Sequence, residues 1–445
     1  MAALLSSGAM GPASIPYRLL QSALRALTPL VAGGRSKLAR GLAGRRDAHA
    51  RLVAWAEERR DPSRPCLWFH APSVGEGLQA RAVIEALRRR SPEAQVVYTH
   101  FSPSAEPLAA GMRAHCAGYL PWDLVSTVGP VLDALHPDCV VFTKTEVWPV
   151  LVSEAARRGI RCALVGGTVP PGAGRARWPA RALLRTTWRR LDVVGAISGA
   201  DRDGFAALGV RPEALVVTGD PGIDAAAGRA RAADPAAPYL DPFHRPPSPT
   251  VVAGSTWPSD EEVLLPALED ARARVEEIRV IVAPHEPAPG HVSALIERLG
   301  SAGWRPATLS EVERSGIEGR DAVVVDRVGV LAHLYTVATV AYVGGGFHDA
   351  GLHSVLEPAA AGVPMAFGPR HRNARAAGDL LEVGGARVVG GRAGLADAFT
   401  TWLIDPHQRD YAGRAALDYI GRHAGAAERS AALLLDLVHT APGTE

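Results

Sequence analysis

Unbroken apolar runs constrain this chain more than any other feature. CLWFHA (66–71), QVVYTH (95–100), CVVFTK (139–144), RCALVGG (161–167), VVGAIS (193–198) and ALVVTG (214–219) lack the in–out alternation of a half-exposed strand. Runs of this kind read as strands covered on both faces, the condition of a parallel sheet. Helical patterns separate them, LQARAVIEALRRR after the first run among them. Strand–helix repetition of this sort predicts a doubly wound, Rossmann-like α/β fold. A second series follows, with TVVAGS (250–255), RVIVAP (279–284), DAVVVD (321–326), VAYVGGG (340–346) and PMAFGP (364–369). The Pro-rich stretch 232–249 between the two series has no periodicity and reads as a linker. At 445 residues the chain also exceeds what one core usually holds. The expected organisation is an N-terminal segment 1–50, a first domain 51–231, the linker 232–249, a second domain 250–405 and C-terminal helices 406–445. Two such domains are expected to face a central cleft, with ligands at the carboxyl ends of the strands.

Charge narrows the partners. With 48 basic and 46 acidic residues the net charge is +2, which gives no global drive toward nucleic acid. Nearly all the basic residues are arginine; Lys37 and Lys144 are the only lysines. Cys66, Cys116, Cys139 and Cys162 form no CxxC pair and no zinc-type spacing, so reduced thiols are expected. Near the N-terminus, IPYRLLQSALRALTPLVA (15–32) precedes Arg35, Lys37, Arg40, Arg45 and Arg46. Arg18 and Arg25 interrupt the apolar stretch, which argues against a membrane-spanning helix. The expectation is an amphipathic helix in the membrane interface with basic residues near anionic headgroups. The alternative is an ordinary helix packed on its own domain.

Chemistry-bearing residues follow the strands. His70-Ala-Pro-Ser73-Val-Gly75-Glu76 joins the first strand to its helix. Ser73 and Glu76 have capping-box spacing; the functional reading makes Glu76 a carboxylate that takes a proton from a hydroxyl. Gly75 and Gly77 leave room for a substrate beside it. Thr145-Glu146-Val147-Trp148-Pro149 ends another strand, where a carboxylate and an indole suit hydroxyl and sugar contacts; a helix start with proline in its first turn reads equally well. In the second half, Ser255 and Thr256 end a strand where hydroxyls and amides suit a phosphate. Ser259-Asp-Glu-Glu262 repeats the capping spacing. His285 suits a base or ribose contact, or a solvated loop. The strongest signal is Gly344-Gly345-Gly346, leading through His348, Asp349 and His353 to Ser354 and Glu357. A glycine-rich loop opening into a helix suits an anion, and this one matches neither the P-loop nor the dinucleotide fingerprint. Its histidines and aspartate match no standard metal spacing. Arg370, Arg372 and Asn373 follow the next strand, placed to line the same pocket. With no Asp-x-Asp pair after a first-domain strand, a metal-free mechanism is the simpler expectation, with leaving-group charge held by helix N-termini and neutral donors.

Taken in order, HAPSVGE (70–76), TEVWP (145–149), GSTW (254–257) and the segment from Val343 to Ala359 resemble the 3-deoxy-D-manno-octulosonic acid (Kdo) transferases of lipopolysaccharide synthesis. That resemblance implies a two-domain GT-B fold and an inverting transfer that needs no metal or other cofactor. It implies a CMP-Kdo donor, a lipid A precursor as acceptor, and peripheral attachment at the cytoplasmic face of the inner membrane. It assigns the general base to Glu76, a second essential carboxylate to Glu146, and nucleotide contacts to Ser255, Thr256, His353, Ser354 and Glu357. The chain also departs from the family. Lys144-Thr145-Glu146 stands where Glu-Thr-Glu is usual, Ser354 replaces an asparagine, and an arginine and a lysine are lost near 166–170 and 219–222. Two other readings stay open: a GT-B relative or epimerase using another nucleotide sugar, and a catalytically silent nucleotide- or lipid-binding protein.

Overall fold

The computed structural model describes residues 14–31, 36–169, 180–244 and 248–440. They form two compact units, each built on a seven-stranded sheet in which every pairing is parallel.

Unit 1 comprises residues 1–225 and 424–445. Its strands are β1 (Cys66–His70), β2 (Gln95–His100), β3 (Cys116–Tyr119), β4 (Cys139–Thr143), β5 (Arg161–Gly167), β6 (Val193–Ala196) and β7 (Leu215–Val217), in the order β3-β2-β1-β4-β5-β6-β7. Neighbouring residues serve opposite faces. Trp68, Val97, Val140, Phe142 and Leu164 pack in one core cluster, while Leu67, Phe69, Val96, Tyr98 and Val141 pack in another. Burial on both sides removes any reason for polar alternation.

Unit 2 spans 226–423. Its strands are β8 (Thr250–Thr256), β9 (Arg279–Pro284), β10 (Pro306–Thr308), β11 (Ala322–Val324), β12 (Val340–Val343), β13 (Met365–Phe367) and β14 (Ala386–Val388), in the order β10-β11-β9-β8-β12-β13-β14. The strand order reverses between β1 and β4 in one sheet and between β8 and β12 in the other. At such reversals the connections leave toward opposite faces, and a crevice opens beyond the carboxyl ends.

The sequence reading misses β3, β10 and β14. All three are sheet edges of three or four residues, and their sequences, CAGY, PAT and ARV, hold no apolar run. The expected boundaries also need correction. Units 1 and 2 divide at Ala225, inside the helix Pro221–Arg231, rather than in 232–249. Within that stretch Leu240 and Phe243 are buried, and Asp241–His244 is a short helix. The tail 406–445 is not one body. Pro406–His423 belongs to unit 2 and Ala426–His439 to unit 1. Between them Gly425 takes a left-handed φ of +87°, and its amide and that of Ala427 donate to Asp224. Ala427, Ala431 and Leu434 of the last helix then complete a unit 1 core cluster.

Residues 14–50 are likewise part of unit 1. The helix Ser14–Val31 docks through the Tyr17 hydroxyl, which donates to the buried Asp123 carboxylate at 2.8 Å. Arg45 belongs to the basic run expected near headgroups, yet it is buried. Its guanidinium lies 4.3 Å from the Trp122 ring, 4.8 Å from Phe101 and 5.4 Å from Trp148. It donates to the Leu120 and Pro121 carbonyls. Aromatic faces and two carbonyls thus replace water around a charge that would otherwise resist burial. Arg35 lies outside the described residues.

This anchoring is testable. Arg45→Met keeps the bulk but removes the charge and both carbonyl bonds. We expect unit 1 to lose about 2–4 kcal/mol in urea unfolding; a change within about 0.5 kcal/mol, the usual effect of a surface substitution, would show that the guanidinium carries no stability.

Candidate active site

The unit 1 site lies at the β1/β4 reversal. Ser73 precedes the helix Val74–Arg90, and its hydroxyl donates to the Glu76 carboxylate instead of capping an amide. The capping-box reading therefore fails here. The other Glu76 oxygen lies 3.3 Å from the Lys144 ammonium, which follows β4. Burial works against ionisation of Glu76, but the Lys144 charge and the Ser73 hydroxyl prevail and hold its pKa below the usual carboxylate range. Gly75 is exposed, and a side chain there would meet open space. Gly77 does not share that role: it is buried, and a Cβ would press on Leu108 and the Tyr98 hydroxyl. Glu146 is half-buried, and its charge acts on Tyr17 and Arg45. Trp148 stacks on Phe101 at 5.8 Å and meets the edge of the buried His70 ring at 6.0 Å.

The unit 2 site lies at the β8/β12 reversal. The Gly344–346 run allows backbone to pack on backbone. A Cβ at Gly344 would strike the Ser255 carbonyl, and one at Gly346 would strike Gly368. The Gly345 amide does not point outward. It donates to Asp260 at 2.7 Å, and the Phe347 amide donates to the other oxygen at 3.2 Å. Asp260 is fully buried and also accepts from the Trp257 amide (2.9 Å) and the Tyr342 hydroxyl (2.9 Å). Four donors on one carboxylate fix the loop after β12 against the one after β8. Thr256 is buried, its hydroxyl donating to Glu261, which also meets His291 and Arg298. Ser255 has a left-handed φ of +56°.

Three histidines gather around Trp257. His348 stacks on the indole at 4.0 Å and His285 at 4.6 Å, while His285 and His353 stack at 4.4 Å. The indole N–H donates to His353 Nε2 at 2.9 Å. Burial and the neighbouring His285 push the His353 pKa down to about 4, so this ring is a neutral acceptor at pH 7. Among the described residues no group of His, Cys, Asp or Glu converges as a metal-ligand set. Ser354 is exposed, while Glu357 pairs with Arg229, and burial raises its pKa against that pairing. Arg370 pairs with Asp349 on the surface. Asn373 holds the backbone amide and carbonyl of Leu352 at 3.0 and 2.8 Å, and so fixes the loop instead of projecting from it.

Sequence reasoning brought His285, His348 and His353 into one half without foreseeing that Trp257 unites them. It missed Asp260, Glu261 and Arg229 as organisers. Asp260 stood inside a stretch noted for capping, and nothing in the spacing revealed partners 82–87 residues away.

Residues 46–225 match the family model described as 3-deoxy-D-manno-octulosonic-acid transferase (kdotransferase). The chain is 28% identical over 438 residues to the 3-deoxy-D-manno-octulosonic acid transferase of Bordetella pertussis, covering 93% of this chain and 97% of the relative. It is 27% identical over 354 residues to the enzyme of the same name from Chlamydophila psittaci, covering 78% and 79%. Among solved structures, UDP-GlcNAc 2-epimerase from Neisseria meningitidis bound to UDP-GlcNAc superposes with a TM-score of 0.59 at 13% identity, covering 84% of this chain and 99% of that one; that match speaks to the fold. The chain is a glycosyltransferase related to the Kdo transferases, with two α/β units of the GT-B class.

Two outcomes check this geometry. Asp260→Ala strands four donors, and we expect unit 2 to lose roughly 3 kcal/mol or more, with faster hydrogen exchange at the Gly345 and Phe347 amides. Native-like protection there would remove Asp260 from this role. His353 should titrate at about 4 in ring-nitrogen NMR. Unfolded histidine binds its proton near 6.5, so the contribution of this ring to stability is full above that pH and fades as pH falls toward the folded value. A folded midpoint near 6.5 would contradict the packing described.

Proposed function

We propose that this glycosyltransferase moves Kdo from CMP-Kdo to a lipid A precursor in lipopolysaccharide synthesis, with inversion and without a metal, at the cytoplasmic face of the inner membrane. One observation carries the reading. Glu76 is an ionised, partly accessible carboxylate at the β1/β4 reversal, beside the open surface of Gly75. An inverting transfer needs such a group. As the acceptor hydroxyl oxygen bonds to the anomeric carbon, its proton passes to Glu76 and the bond to the CMP phosphate oxygen breaks with its electron pair. Glu146 supports the acceptor side. On the donor side, the stacked rings of Trp257, His285, His348 and His353 suit a nucleotide base or ribose. Ser255, Gly345, Gly346, Ser354, Glu357, Arg370 and Asn373 shape its surroundings. Leaving-group charge falls to neutral donors and helix N-termini.

Contact with the membrane has its own support. No helix among the described residues is long and apolar enough to cross a membrane. Tyr17 and Gln21 turn the helix Ser14–Val31 toward unit 1, leaving Leu19 (66%), Leu20 (57%) and Leu24 (41%) exposed. Arg18 and Arg25 flank these leucines, an arrangement suited to an interfacial helix.

The test is acceptor-dependent CMP release, with products read by mass spectrometry across a panel of lipid A precursors. Glu76→Gln should lower turnover by about 10²–10⁴-fold while leaving CMP-Kdo binding unchanged. Near-native turnover in this variant would place the base elsewhere.

A further inference from the structure

Lys144 stands out on three independent grounds. It is one of two lysines in a chain of 445 residues. Its φ of +68° is left-handed, which costs a residue with a Cβ and is kept where surrounding structure demands it. Its ammonium, 44% exposed, reaches back 3.3 Å to a Glu76 carboxylate that is 16% exposed. Glu76 also has the Ser73 hydroxyl on its other oxygen, and the Tyr98 phenol from β2 lies within reach of its charge.

An ammonium paired in this way hinders a base. It lowers the affinity of the carboxylate for a proton and occupies the oxygen that an acceptor hydroxyl must approach. The same ammonium is the more exposed partner, so a substrate oxyanion can reach it from solvent without moving Glu76. Lysine carries its charge on a flexible stem with rotatable donors, which suits a change of partner better than the fixed fork of arginine.

We propose that Lys144 is an exchange cation: it holds Glu76 in the resting pair and passes to a substrate oxyanion, which frees the carboxylate to take the acceptor proton. The ligand is a carboxylate or phosphate, supplied by the donor or by the acceptor. The exchange rests on the reading of Glu76 as base and makes Lys144 a positioning residue that couples substrate occupancy to the basicity of its neighbour.

The experiment follows the Glu76 carboxyl carbon by NMR during pH titration of the full chain, the signal being assigned by its loss in Glu76→Gln. Lys144→Met should raise the Glu76 midpoint by roughly half a pH unit, and Lys144→Arg should return it toward the native value. CMP-Kdo alone and a bisphosphorylated lipid A precursor in detergent alone form the two ligand arms. One of them should raise the native midpoint to that of Lys144→Met and leave Lys144→Met itself unmoved, which identifies the source of the oxyanion. Equal midpoints in native protein and Lys144→Met overturn the proposal, as does a native midpoint that neither ligand moves. CMP release by the same proteins, given donor and acceptor together, separates the two ideas. Release without a ligand-dependent shift sinks the exchange alone, whereas a ligand-dependent shift without release keeps the change of cation partner but sinks the transfer reading together with the role of Glu76 as acceptor base.

Discussion

Parallel pairing is the constraint from which the rest follows. When every strand of a sheet runs the same way, every carboxyl end reaches the same rim, and each connection must return over a face. Where the strand order reverses, successive connections depart to opposite faces and leave the rim uncovered. Those points are β1/β4 in one sheet and β8/β12 in the other. The segments richest in chemistry follow these four strands: Ser73 to Glu76, Lys144 to Trp148, Ser255 to Trp257, and Gly344 to His353. The backbone records the same demand. Only four non-glycine residues with positive φ occur among those described, and two of them, Lys144 and Ser255, are at the reversals. Strain of this kind persists where neighbouring structure fixes it and often marks functional ground.

How much of this was legible depended on where each residue finds its partners. Inner strands announced themselves because burial on both faces writes a continuous apolar run. The edge strands β3 and β10 did not, since CAGY and PAT hold no apolar run. The capping motif shows the limit most clearly. Three stretches carry similar S-x-x-E or S-D-E-E spacing, and each resolves differently. Ser73 bonds to the Glu76 side chain. At the second, Trp257 is the first residue of the turn and Asp260 collects amides. At the third, Glu357 turns to Arg229. A complete reciprocal box does form at Thr308 and Glu311, away from these segments. Local spacing fixes where a helix begins, whereas the partner of each carboxylate comes from Lys144, Gly345 or Arg229, which only the fold brings near.

Arg45 makes the same point for charge. Read in sequence, it extends a basic run toward a membrane. In the fold, Phe101, Trp122 and Trp148 arrive from three later segments and enclose it. Its positive charge becomes part of the base on which the N-terminal helix docks, and the leucines of that helix remain the exposed surface. On the proposed membrane reading, those leucines, with Arg18 and Arg25 beside them, would make the contact.

Three carboxylates at these rims differ in how freely each could exchange a proton. Asp260 is saturated by four donors inside the protein and has no route to a substrate. Glu357 is locked to Arg229 and raised in pKa by burial, so releasing it would strand a charge in a poorly solvated place. Glu76 keeps a low pKa with one hydroxyl and one partly exposed ammonium as partners. The Lys144 ammonium is far more open to solvent or a substrate anion than the Arg229 guanidinium that holds Glu357. A base must be charged before the reaction and free during it; on the proposed reading Glu76 meets both conditions through a counter-ion that solvent can reach. In the proposed exchange, Lys144 supplies the charge that keeps the carboxylate ready and the mobility that lets it act.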